Sequence, residues 1–329
     1  MPEAAPGGSR PLLVVLRPLG LGDFLTSLPA LRALADAFPG HRRVLAAPAV
    51  LEALATMSGA VEEVVDTDPL VPLCSSLWGA DVAVDLHGKG PASHRVLLAA
   101  RPRRLVAFAN PAVPETRGFP PWRDDEHEVE RWCRLLSESG IPADPGRLDL
   151  APPPPPTDGA RGATLVHPGA AFPARRWPPE RWAAVARCEV EAGRSVVVTG
   201  GAEEVELARE VAGLAGLSPS AVRAGQTDLA ELAGLVGAAA RVTCADTGVA
   251  HLATAVRTPS VVLFGPTSPQ RWGPPPDRPW HRVLWAGTTG DPHGREPDPG
   301  LLAISAEQVI DALADLPPAS PAGVTRAAR

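Results

Sequence analysis

The segment RVTCADTGVAHLATAVRTPSVVLFGPTSPQRWGP, residues 241–274, places a strand, a helix and a second strand in immediate succession. RVTCAD reads as a short strand with its turn, TGVAHLATAV as a helix, and SVVLFGP as a buried strand. Two strands joined through one helix are typical of a parallel sheet covered on both faces. The helix also begins with polar residues that a core helix does not need, which indicates a ligand at its first turn.

The same alternation of strands and helices runs through the chain on both sides of a proline-rich break. The strand-like segments are LLVVL (12–16), RVLAA (43–47), EVVD (63–66), DVAVDLHG (81–88), ATLVHPG (163–169), SVVVTGG (195–201), RVTCAD (241–246) and SVVLFGP (260–266). The helical segments are FLTSLPALRALADAF (24–38), a stretch near 48–58, PPERWAAVARCEVEAG (178–193), EEVELAREVAGLA (203–215), DLAELAGLVGAAA (228–240), TGVAHLATAV (247–256) and SAEQVIDALADL (305–316). Because Pro29 interrupts the first helical pattern, that helix is expected to start near Ser27 or to have a kinked first turn.

The length of 329 residues suits two domains of about 150 residues each. The run APPPPPTDGARG is predicted to be a stiff, extended spacer between them. Two doubly wound α/β domains facing a central cleft are expected, with ligands beyond the carboxyl ends of the strands. The predicted organisation is a disordered start (1–10), an N-terminal domain (11–150), a linker (151–162), a C-terminal domain (163–316) and a disordered tail (317–329).

Composition excludes several classes of function. A net charge of -6 gives no support for a nucleic-acid partner, which would usually leave a basic surface. The apolar runs are too short to span a bilayer and no secretory leader is recognisable, so a cytoplasmic protein is expected, with a peripheral position at the inner face of the membrane left open. The four cysteines are scattered, without metal-ligand spacing, and are interpreted as small buried thiols in a reducing compartment.

The first glycine-bearing turn, RPLGLGD, carries a candidate catalytic acid. Gly20 and Gly22 allow a sharp turn, but Leu25 stands where a dinucleotide fingerprint needs its third glycine. A P-loop fails at Lys89, which lacks the upstream glycine and the following hydroxyl residue. Asp23 is either a helix N-cap or a carboxylate aimed into the cleft, where it could take a proton from a hydroxyl nucleophile.

Two further clusters are candidates for anion binding. Arg175 and Arg176 follow the strand–glycine segment ATLVHPG, where guanidinium groups match phosphate oxygens, although ordinary surface charges are the alternative. At the opening segment, Asp246 is expected at the N-cap, and Thr247 and Gly248 offer backbone N–H groups to an anion. His251 projects one turn further on the same face. A pyrophosphate fits this arrangement, with Asp246 fixing the loop or contacting a sugar hydroxyl.

The ordered set of segments resembles glycosyltransferase family 9, the heptosyltransferase-like enzymes, over nearly the whole chain. The matching segments are RPLGLGDFLTSLPALRALADAFPG, VAVDLHGKGPASHRVLLAARPRRLVAF, HEVERWCRLL, HPGAAFPARRWPPERWAAVA, VVVTGGAEEVELA, GQTDLAELAGLVGAAARVTCADTGVAHLATAV and TPSVVLFGPTSPQRWGP. The resemblance implies a GT-B fold, with the acceptor on the N-terminal domain and a nucleotide-sugar donor on the C-terminal one. It also implies an inverting transfer without a metal or other cofactor.

Residue by residue, the resemblance makes Asp23 the general base. Arg175 stands where the family usually has a lysine near the donor phosphates, and either Glu203 or Glu204 matches an acidic residue near the nucleoside. The donor-diphosphate motif matches Asp246, Thr247, Gly248 and His251. The residues assigned to the loop and acceptor side are Arg17, Gly20, Gly22, His87, Lys89 and His127, with core or surface roles equally open for the last three. The loop at 287–305 departs from the family because it lacks cysteines that many members carry.

The function expected from the sequence is transfer of a sugar, heptose or a related one, from a nucleotide-diphosphate sugar such as ADP-heptose to a hydroxyl of a glycan or glycolipid. Two alternatives stay open: a non-catalytic nucleotide-sugar binder, and a nucleotide-sugar epimerase or hydrolase on the same architecture. The sugar, the nucleotide base, the acceptor and the oligomeric state are not determined by the sequence.

Overall fold

The computed structural model describes residues 10–155 and 158–318, which fall into two compact units that meet in sequence at Arg147 and Leu148. The sequence placed this boundary after Leu150. Residues 148–150 belong with the second unit because the Leu150 N–H donates to the Ala255 carbonyl and Asp149 pairs with Arg257. The predicted disordered ends, 1–10 and 317–329, lie almost entirely outside the described residues.

The first unit is a five-stranded parallel sheet with the strand order β3-β2-β1-β4-β5. Its strands are β1 (Leu12–Leu16), β2 (Arg42–Ala47), β3 (Glu63–Asp66), β4 (Val82–Asp85) and β5 (Arg104–Val106). Its helices are α1 (Leu21–Ala37), α2 (Glu52–Met57), α3 (Ala92–Ala99) and α4 (Glu128–Glu138). Single 3₁₀ turns occupy Ala49–Leu51, Ser75–Leu77 and Pro114–Thr116.

The second unit is also a five-stranded parallel sheet, with the order β10-β9-β8-β6-β7. Its strands are β6 (Thr164–His167), β7 (Val196–Val198), β8 (Arg241–Ala245), β9 (Ser260–Phe264) and β10 (His281–Trp285). Its helices are α5 (Pro179–Glu191), α6 (Val205–Leu214), α7 (Leu229–Ala238), α8 (Gly248–Ala255), α9 (Pro269–Trp272), α10 (Pro299–Leu302) and α11 (Ala306–Ala314). Single 3₁₀ turns occupy Asp158–Ala160, Pro173–Arg175, Ala202–Glu204 and Pro219–Ala221.

Burial on both faces explains why the strands read as continuous apolar runs rather than alternating ones. All five residues of β9 are buried, as are the last four of β1. In the second unit two tryptophans anchor the helical layer: Trp177 and Trp182 meet edge to face at 4.7 Å, and the Trp177 indole donates to the Ile304 carbonyl at 3.1 Å. Burying aromatic side chains of this size contributes strongly to the stability of such a core.

The alternative that the first helix starts near Ser27 is wrong. Helix α1 begins at Leu21, with Gly20 as its N-cap, and Pro29 lies inside it. The glycine-bearing turn is therefore already the first helical turn, which hides the beginning of the apolar periodicity. The predicted helix near 48–58 is split into the 3₁₀ turn Ala49–Leu51 and α2. The structure adds six helices and strands that the sequence did not indicate: β5, β10, α3, α4, α9 and α10.

The proline run is not a free spacer, because prolines 152–155 pack against helix α7. A Cβ on Gly234 would lie 2.8 Å from the Pro154 carbonyl oxygen, and a Cβ on Gly237 would lie 2.6 Å from the Pro152 ring. Because the two glycines have no side chains, the prolines can pack directly against the backbone of α7. This packing gives a physical reason for two glycines inside a helix, where they ordinarily cost stability.

We expect Gly234→Ala to destabilise the protein by about 1–3 kcal/mol because the added methyl group meets proline backbone that cannot move aside cheaply. The matched control is Gly213→Ala in α6, where nothing lies within 4 Å of the added Cβ. That variant should be stabilised by up to about 1 kcal/mol, the usual gain of alanine over glycine in a helix. Urea unfolding of both variants checks the opposite signs, and a stabilised Gly234→Ala would contradict the described packing.

Candidate functional site

In each unit the candidate residues gather where the strand order reverses. In the first sheet the chain leaves β1 towards β2 and returns on its other side to β4; in the second, β6 lies between β7 and β8. Crevices beyond the carboxyl ends of strands at such switch points are where open α/β sheets bind ligands. Arg17 follows β1, Asp85 ends β4, His167 ends β6, and Asp246 follows β8.

The first cluster is organised by Arg17, whose side chain is only 1% exposed. Its Nε donates to the Asp23 carbonyl at 3.0 Å, and its Nη2 donates to Asp23 Oδ1 at 3.3 Å. Its Nη1 donates to the Leu86 carbonyl directly after β4. One guanidinium therefore ties the first turn of α1 to the end of β4, and it brings together two of the predicted residues.

Asp23 is not the helix N-cap that the sequence allowed as one interpretation. Gly20 is the N-cap, and Asp23 is the third residue of α1, after the predicted turn glycines Gly20 and Gly22. The Asp23 side chain is 30% exposed. Burial raises its pKa above the ordinary aspartate value, Arg17 opposes this, and the nearby Glu128 carboxylate adds to it. A partly exposed carboxylate with a raised pKa suits a group that must accept a proton.

Glu128, the first residue of α4, is a member of this cluster that the sequence analysis missed. Its Oε1 accepts hydrogen bonds from Arg17 Nη2 at 2.9 Å and from the Trp132 indole at 2.8 Å, and Arg131 donates to its Oε2. The segment HEVERW already indicated this cluster, because Arg131 and Trp132 follow Glu128 by three and four residues and so lie on the same face of a helix. The predicted His127 is the N-cap of α4, and its Nδ1 accepts from the Val129 N–H at 3.2 Å.

Asp85 organises the loop that carries the other predicted acceptor-side residues. Its carboxylate is fully buried, and its Oδ1 accepts from the His87 N–H at 2.9 Å. Burial raises the pKa of Asp85 to about 6, opposed by hydrogen bonds from Ser93 and from backbone N–H groups. His87 is half-buried, and burial together with Arg17 lowers its pKa. Lys89 is exposed, with its Nζ 3.9 Å from Asp124.

The raised pKa of Asp85 predicts a pH-dependent cost to stability. Since the folded pKa of about 6 exceeds the ordinary value of 3.8, stability from the neutral acid is present below about pH 4 and lost as pH rises through about 6. We therefore expect Asp85→Asn to gain about 3 kcal/mol relative to the parent protein between pH 4 and pH 8. Denaturant unfolding across this range measures the gain, and parallel stability curves would contradict it.

The second cluster surrounds the start of α8. The helix begins at Gly248 with Thr247 as its N-cap, one residue later than the predicted N-cap Asp246. The Asp246 carboxyl is buried instead, and burial raises its pKa to about 6, opposed by Arg175 and by a hydrogen bond from Thr267. Asp246 therefore ties the β8–α8 turn to the loop after β9.

Arg175 lies beside this helix start. It ends the 3₁₀ turn Pro173–Arg175, and its Nη1 donates to the Asp246 carbonyl at 3.3 Å. Its Nε is buried and has no hydrogen-bond partner among residues 10–155 and 158–318. Arg176 stabilises the same loop, because its Nε donates a hydrogen bond to the Ala170 carbonyl at 2.9 Å. A buried N–H donor without an acceptor, next to a helix amino terminus, is an arrangement that an anionic oxygen would satisfy.

The two candidate glutamates after β7 differ in exposure and in their contacts. Glu203 is exposed, whereas the Glu204 side chain is 15% exposed and closes over Gly169, where an added Cβ would lie 2.1 Å from the carboxyl group. Glu204 Oε2 lies 3.7 Å from Nε2 of His167, a buried histidine that the sequence analysis did not single out. The His167 Nδ1 pairs with the Thr199 hydroxyl at 3.0 Å. Burial lowers the pKa of His167, and Glu204 opposes that shift.

His251, the last predicted residue of this cluster, lies one turn into α8 and is half-buried. Its ring meets Trp272 at the end of α9 edge to face, with centroids 5.8 Å apart. Trp272 belongs to the segment 241–274, but no pattern in the sequence indicates its contact with His251. The contact fixes the histidine ring against the loop that follows β9.

Across the described ranges 10–155 and 158–318, no group of three or more histidine, cysteine or acidic side chains is placed to hold a metal ion. In the same part of the chain, no helix is both long and apolar enough to cross a membrane. The four cysteines are free; Cys74 is exposed and Cys188 half-buried, so the expectation of buried thiols holds only for Cys133 and Cys244.

Several solved structures match almost the whole chain. One is the ADP-heptose lipopolysaccharide heptosyltransferase II of Escherichia coli, with TM-score 0.72 and 23% identity over 92% of this chain and 97% of that one. Another is a family 9 glycosyltransferase of Veillonella parvula, with TM-score 0.75 and 20% identity over 94% of this chain and 98% of that one. At these identities the likeness shows the fold, and it confirms the predicted GT-B class with two Rossmann-like domains.

Sequence comparison points to the same family. Lipooligosaccharide heptosyltransferase 2 of Haemophilus influenzae is 35% identical over 118 residues, which cover 34% of this chain and 33% of the relative. The chain thus matches about a third of the length of that curated relative. The profile described as "Glycosyltransferase family 9 (heptosyltransferase)" matches residues 120–290, more than half of the chain. The resemblance seen in the sequence is therefore confirmed, and the chain belongs to glycosyltransferase family 9.

Proposed function

We propose that the protein is an inverting glycosyltransferase that moves a sugar from a nucleotide-diphosphate sugar to a hydroxyl group of a glycan or glycolipid acceptor, without a metal ion. The observation that carries the proposal is the unpartnered buried Nε–H of Arg175 beside the start of α8. An anionic ligand would satisfy this N–H group. The donor substrate proposed here carries such an anion, its diphosphate.

The donor site is built from two sources of positive charge. The Arg175 guanidinium supplies a full charge with a planar fork that suits phosphate oxygens. The first amides of α8, from Thr247 and Gly248, supply partial charge at the helix amino terminus. The two together would stabilise the negative charge that grows on the leaving diphosphate, which is the part that a metal ion plays in other transferases.

The acceptor side is proposed at Asp23. The Asp23 carboxylate takes the proton from the acceptor hydroxyl while the hydroxyl oxygen forms a bond to the anomeric carbon. The bond from that carbon to the diphosphate oxygen breaks, and the nucleoside diphosphate leaves with the electron pair. Attack opposite to the leaving group inverts the anomeric configuration, through an oxocarbenium-like state as in glycoside chemistry generally. The proton on Asp23 is then lost to solvent.

For the donor we propose ADP-heptose or a closely related nucleotide sugar, and for the acceptor a lipopolysaccharide-type glycan. The support is the family match together with the names of the similar proteins, heptosyltransferases of lipopolysaccharide and lipooligosaccharide. Glu204 is proposed to contact the nucleoside rather than Glu203, because only Glu204 turns towards the β6 loop. A cytoplasmic protein working at the inner face of the membrane would meet such an acceptor.

The proposal predicts that one nucleoside diphosphate stabilises the protein in the presence of EDTA. Ligand at a hundred times its dissociation constant adds about 2.7 kcal/mol, which corresponds to a rise in Tm of roughly 5–10 °C for domains of this size. A thermal-shift screen of ADP, GDP, UDP, CDP and dTDP measures this, and ADP is expected to stand out. A uniform absence of shift with EDTA, followed by a shift on adding Mg²⁺, would contradict the metal-independent site.

A further inference from the structure

Arg17 shares a single guanidinium nitrogen between two carboxylates. Its Nη2 lies 2.9 Å from Glu128 Oε1 and 3.3 Å from Asp23 Oδ1. The Glu128 side chain is 6% exposed, whereas that of Asp23 is 30% exposed. Since charges attract more strongly when they are closer and less hydrated, Arg17 is paired chiefly with Glu128 and only secondarily with Asp23.

Glu128 is itself held in place from the other side. The Trp132 indole donates to Oε1 at 2.8 Å, and Arg131 donates to Oε2. Arg131 is anchored in turn by the Glu126 carbonyl, which accepts from its Nη2 at 2.9 Å, and by the Trp122 ring, 4.3 Å from the guanidinium carbon. Helix α4 therefore presents a fixed negative charge to the buried arginine.

We propose that Glu128 is a positioning residue for the transfer: by holding Arg17 out of a full ion pair with Asp23, it keeps the Asp23 carboxylate able to accept the proton of the acceptor hydroxyl. The inference rests on the proposed role of Asp23 as general base, and it extends that role to a residue on α4. Glu128 touches neither sugar in this account and acts only through Arg17.

The electrostatics of the cluster support this division of charge. A cation free to pair with Asp23 alone would stabilise its ionised form and make it a weaker base, because an opposite charge at this distance typically lowers a carboxyl pKa by about 1–3 units. The Glu128 carboxylate acts in the opposite sense, since it raises the pKa of Asp23 directly and also occupies Arg17. The charged and titratable groups that face Arg17 and the two carboxylates are Arg131 on α4, Asp85 at the end of β4 and His87 in the loop that follows β4.

The test is the pH dependence of kcat/KM in Glu128→Gln. Loss of the Glu128 charge should move the acid limb of the profile to lower pH by about one unit, and the weaker base should lower the plateau rate by about threefold. The matched control is Glu126→Gln, just before α4, which breaks the ion pair between the Glu126 side chain and Arg134 of α4 without touching Arg17. Its acid limb should stay where it is in the parent protein.

A second readout separates this inference from the proposed function. Carbon-13 NMR of protein labelled at the aspartate carboxyl carbons, with Asp23→Asn to assign the signal, reports the titration of Asp23 without any substrate. The Asp23 signal should titrate at lower pH in Glu128→Gln than in the parent, and Glu128→Asp, which keeps the charge but withdraws it, should lie between them.

Identical titration of Asp23 in Glu128→Gln and the parent protein would overturn the inference and leave Glu128 as a packing residue. If the parent protein transfers no sugar under any condition, the proposed function fails, while the NMR comparison still decides the inference. Should Glu128→Gln not fold, the same NMR comparison is made with Glu128→Asp against the parent, with a smaller shift expected in the same direction and no shift again overturning the inference.

Discussion

Asp23→Asn is expected to lower the rate of sugar transfer by about 10²–10⁴-fold, the usual contribution of a general base, while nucleotide binding stays intact. Asparagine has the same size and can still accept a hydrogen bond from Arg17, which keeps its buried partner Glu128. The substitution therefore removes proton acceptance and little else. Acceptor-dependent nucleotide release measures the rate, and the thermal shift with ADP measures donor binding.

The matched control for this variant is Asp36→Asn, also on α1, where an exposed carboxylate pairs with Arg147. It removes the same charge from the same helix, far along the chain from the first turn, and should leave transfer unchanged. Full activity of Asp23→Asn would remove Asp23 from the role of base and leave it as a first-turn helix residue.

Arg175→Gln is expected to weaken both donor binding and turnover. The guanidinium is the one full positive charge that we place against the diphosphate, and removing a preorganised donor of this kind typically costs about 10²–10³-fold in rate. Arg175→Lys should recover part of the loss, because the charge returns without the planar fork. Steady-state kinetics with a varied donor concentration, together with calorimetry of ADP binding, separate the two effects.

Arg187→Gln serves as the control for Arg175→Gln. Arg187 lies on α5 and donates from Nη1 to the Leu214 carbonyl at 2.7 Å at an exposed position. The same change of charge there should leave ADP affinity and turnover as in the parent protein. Unaltered ADP affinity in Arg175→Gln would contradict the reading of its unpartnered Nε–H as a phosphate donor.

The fold was predictable from sequence to the extent that single segments carried their own pattern. The β8–α8–β9 unit and the amphipathic helix α11 have clear periodicity and clear ends, and both were identified. Strand β5 has only three residues and β10 begins with His281 and Arg282, so neither forms an apolar run long enough to recognise. They are strands because they pair with β4 and β9, and this pairing depends on the tertiary structure.

The candidate site was predictable where chemistry and local geometry coincided. Arg175, Asp246 and the α8 start were selected because arginines and a polar helix start follow predicted strands, and the structure brings these groups together. Glu128 was missed because its contact with Arg17 joins residues that lie 111 positions apart in sequence. The choice between Glu203 and Glu204 also needed the fold, since only the position of Gly169 shows which carboxylate turns inward.

The most direct test of the central proposal is the reaction itself, followed with ADP-heptose and a lipopolysaccharide-core acceptor in EDTA. We predict that ADP is released only when the acceptor is present, and that proton NMR of the product shows an anomeric configuration opposite to that of the donor. Release of ADP at the same rate without acceptor would indicate a hydrolase. A retained configuration, or ADP binding without turnover on any such acceptor, would contradict the inverting glycosyltransferase proposed here.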